Sequence, residues 1–183
     1  MMKWDDIQLG WFDPDISLLG LVDNIGAAQS KGFEIDSKMI VSDKLTVTFS
    51  YAKNDAKLTE DYNLRGSLAA KKNQDLPFTP DRKYNFGMTR DLSDSSRIDF
   101  NYVYVDQMWN DLFYDNRVMQ GAYSIGNLSF TKDLGDQASV QIYVDNVFDE
   151  IAELFINVED IQPLTTVNRP RSIGVKYSWK MNK

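Results

Sequence analysis

Val140-Gln141-Ile142-Tyr143-Val144-Asp145 and, beyond a loop, Ile173-Gly174-Val175-Lys176-Tyr177-Ser178-Trp179-Lys180 decide how this chain is read. In both stretches an apolar side chain alternates with a polar or small one. Side chains on a strand point to opposite faces in turn, so residues 137–179 contain two strands, each with one apolar edge. Two architectures produce that pattern. A soluble sheet lays its apolar face on a protein core; an outer-membrane barrel lays the same face on lipid.

Working outward, the same alternation recurs. Residues 3–9 read as a short strand, and Asp13-Pro14-Asp15 as a turn or loop. A long strand covers 28–42, with Phe33, Ile35, Met39 and Val41 opposed to Glu34, Asp36 and Lys38. Over 45–51, Leu45, Val47, Phe49 and Tyr51 alternate with Thr46, Thr48 and Ser50. Strands follow at 84–92 and at 97–105, where Ile98, Phe100, Tyr102 and Tyr104 oppose Asp99 and Asn101. In 121–132 the apolar side changes from Tyr123 and Ile125 to Leu128 and Phe130, which predicts a bulge. Residues 53–80, 106–120 and 148–168 read as long loops, with a small helix expected over 151–156.

The connections sort by length. Asp43, Asp94 and Gly135 mark short turns, and each alternate connection is long. Outer-membrane barrels have short periplasmic turns and long extracellular loops. A soluble meander has no reason to place its long loops on one rim. Charges fall opposite the apolar rows: Glu34, Asp36, Lys38, Asp99 and Lys176. Lys or Arg facing lipid near mid-membrane costs ~2–4 kcal/mol, but an unpaired charge in a protein core is also costly, so both architectures require this segregation.

The 183 residues carry 20 basic and 27 acidic side chains, a net charge of -7, which argues against a nucleic-acid partner. With no His and no Cys there is no disulfide, no imidazole or thiolate metal ligand, and no His-based triad. Asp106, Asp111 and Asp115 lack the spacing of a calcium loop and read as solvated acids. Neither Asp149-Glu150 nor Glu159-Asp160 comes with an argument for a catalytic cleft. No enzyme, cofactor or metal site is expected. The longest apolar run, 16–22, is far below the ~18 residues of a membrane helix.

Trp4-Asp5-Asp6-Ile7-Gln8, Asn24-Ile25-Gly26-Ala27-Ala28 and Gly32-Phe33-Glu34 resemble the barrel of TonB-dependent outer-membrane receptors. Leu76-Pro77-Phe78-Thr79-Pro80 is similar to that family's approach to a descending strand. Asn146-Val147-Phe148-Asp149 is similar to its strand-end signature, and Arg169-Pro170-Arg171 to its approach to the last strand. In order and spacing these pieces resemble the C-terminal third of the barrel, over essentially the whole chain. The resemblance implies an all-β, antiparallel, up-and-down transmembrane barrel. About eight strands are expected here, a fragment of a barrel of about 22.

The same resemblance implies a Gram-negative outer-membrane location and active uptake of a scarce solute such as a siderophore, cobalamin or a saccharide. The implied partners are outer-membrane lipid, upstream barrel strands, a plug domain, and TonB through an N-terminal region; none of the last three lies within residues 1–183. The ending Trp179-Lys180-Met181-Asn182-Lys183 departs from the family in lacking a terminal aromatic.

On this reading Glu34, Asp36, Lys38, Asp99 and Lys176 line the lumen. Phe33, Ile35, Phe49, Tyr102, Tyr104, Ile173, Val175, Tyr177 and Trp179 face lipid or form its aromatic girdles. Trp109, Phe113 and Tyr114 in the 106–120 loop are candidate contacts for solute at the outer mouth; the alternative is that they only pack the loop. Two rival readings are a soluble all-β ligand-binding module and a self-closing eight-stranded outer-membrane barrel.

Overall fold

The computed structural model describes residues 1–12, 20–112, 119–157 and 164–181. Every named element is a strand. The principal sheet takes β1 (Met2–Trp4), β4 (Ala28–Ser42), β5 (Leu45–Leu58), β8 (Arg82–Ser93), β9 (Ser96–Val105), β12 (Tyr123–Asp133), β13 (Ala138–Asp145) and β16 (Ser172–Trp179), in that spatial order. All its pairings are antiparallel and each strand lies beside its sequence neighbours, an up-and-down meander. Among the described residues β1 does not pair with β16, so the sheet is open and the self-closing eight-stranded reading fails.

Four two-stranded hairpins occupy the long connections: β2 (Gln8–Phe12) with β3 (Gly20–Asn24), β6 (Tyr62–Leu64) with β7 (Ser67–Ala70), β10 (Met108–Trp109) with β11 (Met119–Gln120), and β14 (Glu153–Asn157) with β15 (Leu164–Val167). The short turns after β4, β8 and β12 adjoin at the opposite rim. There the Asp91 amide donates to the Lys44 carbonyl (2.8 Å) and the Asp133 amide to the Ser95 carbonyl (2.8 Å). The sorting of loops by length is therefore a sorting by rim.

The expected helix over 151–156 is instead β14, in a ladder with β15. Phe155 and Ile156 suit a pleated surface, and the partner strand supplies hydrogen bonds that an isolated single helical turn lacks. The predicted bulge in β12 is also absent: its registers with β9 and β13 run without a shift. Tyr123 and Ile125 pair with Val105 and Val103 on the face opposite to Leu128 and Phe130, so polarity changes sides while the backbone stays regular.

The same inversion explains why β5, expected to stop at Tyr51, continues to Leu58. Beyond Tyr51 the outward row becomes Lys53, Asp55 and Lys57, while Ala56 and Leu58 on the other face are buried. Buried apolar residues concentrate at this rim. Ile25, Ala28, Ala56, Leu58, Tyr62, Ala70, Leu76 and Leu112 form one cluster, with Trp4, Ile7 and Leu9 packed against it. The core thus lies among the long connections and not beneath the sheet.

Candidate functional site

Opposed residues in an antiparallel ladder share a face, so the registers extend each strand's apolar row across the sheet. One row runs Phe49, Phe86, Tyr102, Gly126; the next runs Val47, Met88, Phe100, Leu128, Val144, Ile173; another runs Ile98, Phe130, Ile142, Val175. Phe33 and Ile35 continue this face on β4, and Tyr177 and Trp179 on β16. Among the described residues these rows meet no opposing layer. Ile173, Val175, Tyr177 and Trp179 are 74%, 68%, 63% and 60% exposed, which in water would be a contiguous apolar surface far beyond ordinary tolerance.

Above these rows lies an aromatic one, Tyr51, Tyr84 and Tyr104. Tyr84 and Tyr104 stack with ring centres 4.6 Å apart and planes at 17°. Phe148 folds back over Gly126 and meets Tyr102 edge-on at 6.0 Å. A Cβ at Gly126 would lie 2.6 Å from the Phe148 ring, so a larger residue there would displace it.

The opposite face carries Glu34, Asp36 and Lys38 on β4, Asp99 on β9 and Lys176 on β16, together with Thr46, Thr48, Ser50, Asn101, Ser129 and Gln141. It is hollowed: a depression of about 570 Å³ is lined chiefly by Thr48, Thr89, Asp99, Asn101, Ser129 and Gln141. Thr89 donates to Asp99 at 2.8 Å, and Gln141 donates to both Ser129 and Thr131 at 3.3 Å. Tyr143 on this face covers Gly174, where an added Cβ would meet the phenol ring at 2.4 Å.

At the outer end of β13, Asn146 clasps the base of the last long loop. It is 3% exposed and left-handed (φ 53). Its amide donates to the Glu150 carbonyl (2.8 Å) and the Arg169 carbonyl (3.1 Å), and its side-chain oxygen accepts from the Glu150 N–H (3.1 Å). Asn127 accepts from its backbone N–H at 2.9 Å. Three residues on, Asp149 accepts from the Arg171 backbone N–H (2.9 Å) and guanidinium (3.1 Å). The motif pieces at 146–149 and 169–171 are thus two halves of one staple.

The backbone N–H of Arg171, then its guanidinium, holds the Asp149 carboxyl below the ordinary carboxylate value. A depressed carboxyl stabilises the folded form above its unfolded value, near ~4, and that contribution is lost as pH falls through the folded value. Hydrogen-exchange protection of the Arg171 amide is therefore expected to be flat from neutral pH down to about 4 and to drop below it. In Asp149→Asn that pH dependence should vanish.

Of the three loop aromatics proposed for solute, Trp109 lies in β10 opposite Met119, and its carbonyl accepts from the Phe78 N–H at 2.8 Å. Phe113 and Tyr114 lie outside the described residues, as does Asp115. Asp106 is paired with Arg82 (2.8 Å) and also accepts from Tyr104 (3.2 Å). One aromatic pair was not visible in the sequence. Phe78 and Phe155, from different loops, stack at 6.2 Å and 16°, each residue being nearly half exposed. Phe78 is held at φ 57, a sparsely populated conformation for a bulky residue.

The family model "TonB dependent receptor-like, beta-barrel" matches residues 5–147. The chain belongs to the TonB-dependent receptor β-barrel family. No curated protein matches it in sequence. Among solved structures, the ferric yersiniabactin uptake receptor FyuA from Yersinia pestis superposes with a TM-score of 0.72 at 19% identity, over 87% of this chain and 24% of that one. The ferric-catecholate import receptor Fiu from E. coli K12 gives 0.67 at 17% identity, over 93% and 23%. The ferric citrate transporter FecA gives 0.65 at 17%, over 84% and 24%. This chain therefore spans about a quarter of the length of the receptors it resembles, and its open eight-stranded sheet corresponds to a portion of their barrels.

Proposed function

We propose that this chain is the C-terminal barrel portion of an outer-membrane receptor for active uptake of a scarce solute, with no plug within residues 1–183. The observation that carries the reading is the unopposed apolar face. An eight-stranded sheet with many large apolar side chains exposed along one face, and with its buried cluster among the described residues at one rim, is suited to hydrocarbon and not to water. The soluble-module alternative requires a layer over that face, and the described residues provide none.

On this reading Phe33, Ile35, Phe49, Ile173 and Val175 meet acyl chains. Tyr102, Tyr104, Tyr177 and Trp179 sit toward the two interfaces. Glu34, Asp36, Lys38, Asp99 and Lys176 face the lumen and the plug. The open edges, β1 and β16, are completed by further strands, because an unpaired edge in lipid leaves on the order of ten polar groups at several kcal/mol each. TonB acts through a region outside this chain. Trp109 and the Phe78–Phe155 pair, with Phe113 and Tyr114, are the loop aromatics offered to the solute.

An iron chelate is the favoured solute, because the solved receptors of matching fold are described as ferric yersiniabactin, ferric-catecholate and ferric citrate proteins. The test is uptake by the full receptor containing these residues, expressed in a strain without other ferric-chelate receptors. Uptake of a labelled ferric chelate that stops when TonB is removed supports the reading. Uptake unchanged by TonB removal, or a receptor that is monodisperse and folded without detergent, contradicts it.

A further inference from the structure

Two cations interrupt the apolar face near the short turns. Arg90 stands in the row Leu45, Arg90, Ile98, Phe130, Ile142, Val175, and Lys132 in the next, Ser96, Lys132, Val140, Tyr177. Neither row contains an acid. The Tyr177 row lies four rows from the Tyr51–Tyr84–Tyr104 row, toward the short turns. At about 6–7 Å a row and a strand tilt of about 40°, that is roughly 20 Å of depth, inside an apolar band ~25 Å tall. Arg90 is therefore rooted within the band, and Lys132 is level with Tyr177 at its short-turn edge.

Arg90 is exposed, and its guanidinium makes no hydrogen bond or ion pair among the described residues. Lys132 Nζ donates to Ser95 Oγ at 2.7 Å, so its side chain crosses β9 toward the turn that follows β8, the strand carrying Arg90. That single bond leaves the ammonium with donors to spare. The two backbones are separated by two ladder steps, about 10 Å, and by one row along the strands, with Ile98 and Phe130 between them in the register. The acids of this rim lie elsewhere: Asp43, Asp91, Asp94 and Asp133 line a depression with Arg97, which pairs with Asp99 of the polar face at 3.0 Å.

A guanidinium rooted in an apolar face extends toward water or toward an anion. Here an ammonium converges on it and the face offers no carboxylate, so the complementary group is a phosphate, which a guanidinium fork grips with two parallel hydrogen bonds. At the edge of the apolar band that phosphate belongs to lipid. We propose that Arg90 and Lys132 clamp the phosphodiester of a phospholipid in the leaflet on the short-turn side, with Ile98 and Phe130 against its acyl chains. Two cations facing one phosphate favour a lipid of net negative charge, because a headgroup carrying its own ammonium adds a third cation to the site. This inference rests on the membrane reading above, and its test separates the two. A receptor that needs no detergent refutes both, whereas a detergent-dependent receptor without lipid preference refutes only this one.

The experiment uses the full receptor containing these residues in nonionic micelles. It is titrated with dihexanoyl phosphatidylglycerol, dihexanoyl phosphatidylcholine or free glycerol 3-phosphate, and retained ligand is read by native mass spectrometry. Phosphatidylglycerol is expected to bind at least about tenfold more tightly than phosphatidylcholine, each cation near an anionic lipid contributing about fivefold. Arg90→Gln and Lys132→Gln should each cut that preference about fivefold. Arg97→Gln, which removes the same charge from the polar face of the same rim, should leave it unchanged. Heat-modifiable gel mobility checks that each variant is folded. Equal retention of the two lipids, a preference unchanged in both Arg90→Gln and Lys132→Gln, or an equal fall in Arg97→Gln overturns the proposal. Glycerol 3-phosphate held as tightly as phosphatidylglycerol overturns the membrane source.

Discussion

Leu128→Arg is expected to destabilise the receptor in a bilayer by ~2–4 kcal/mol, the cost of a guanidinium on the lipid face near mid-membrane. Ser129→Arg, one residue along the same strand, is expected to change stability by no more than about 0.5 kcal/mol. Leu128 lies in the row Met88, Phe100, Leu128, Val144, whereas Ser129 is opposite Asp99 and Tyr143 on the hollowed polar face. An arginine at 129 gains a carboxylate neighbour across the ladder. Urea titration of receptor refolded in liposomes, followed by heat-modifiable gel mobility, reads both variants.

A protein core at Leu128 would also reject arginine, so Leu128→Ala separates the causes. In a core, truncation leaves a cavity and costs about 2–5 kcal/mol. Against lipid the acyl chains fill the space, and the loss should stay well under that range.

The second large effect is at the loop clasp. Asn146→Ala removes the amide that bridges the Glu150 and Arg169 carbonyls and the acceptor for the Glu150 N–H. At about 1 kcal/mol for each bond, and more where a buried group is left unpaired, the local loss is about 3–5 kcal/mol. It includes roughly 1 kcal/mol for placing alanine in a left-handed conformation. Asn146→Gly recovers only that last part. The expected result is a segmental increase in hydrogen exchange over residues 146–152 and 168–171, with the β4–β5 and β8–β9 amides unchanged. Uniform loss of protection through the whole sheet would instead mean that the clasp supports the barrel and not just its loop.

How legible this was depends on where each strand lies relative to the apolar band. Within the band the outward residue must be apolar and the inward one polar, so β4, β9, β13 and β16 are written plainly in their period of two. Beyond the band the requirement reverses: Lys53, Asp55 and Lys57 point outward while Ala56 and Leu58 are buried. A reading that holds one face apolar throughout must stop β5 at Tyr51 and see a bulge in β12, where Tyr123 and Ile125 only mark the same crossing.

The hairpins within the loops were hidden for another reason. Their strands are short, and β10 with β11 has only two paired positions, too few for any alternation to emerge. The 146–149 and 169–171 motifs were visible as separate pieces; that they form one staple is a matter of long-range hydrogen bonding, which local pattern does not encode. Likewise the Phe78–Phe155 stack joins residues far apart in sequence, and Phe78 by itself reads only as part of the approach to a descending strand.

The central claim is that hydrocarbon covers the apolar rows. Nitroxide labels placed singly at residues 140–145 of the full receptor in lipid bilayers test it most directly, by collision with oxygen, which concentrates in the acyl region, and with a water-soluble nickel chelate. Strong oxygen collision at 140, 142 and 144, alternating with weak oxygen collision at 141, 143 and 145, is the predicted result. Low accessibility to both reagents at 140, 142 and 144 would put a protein layer over that face and contradict the account.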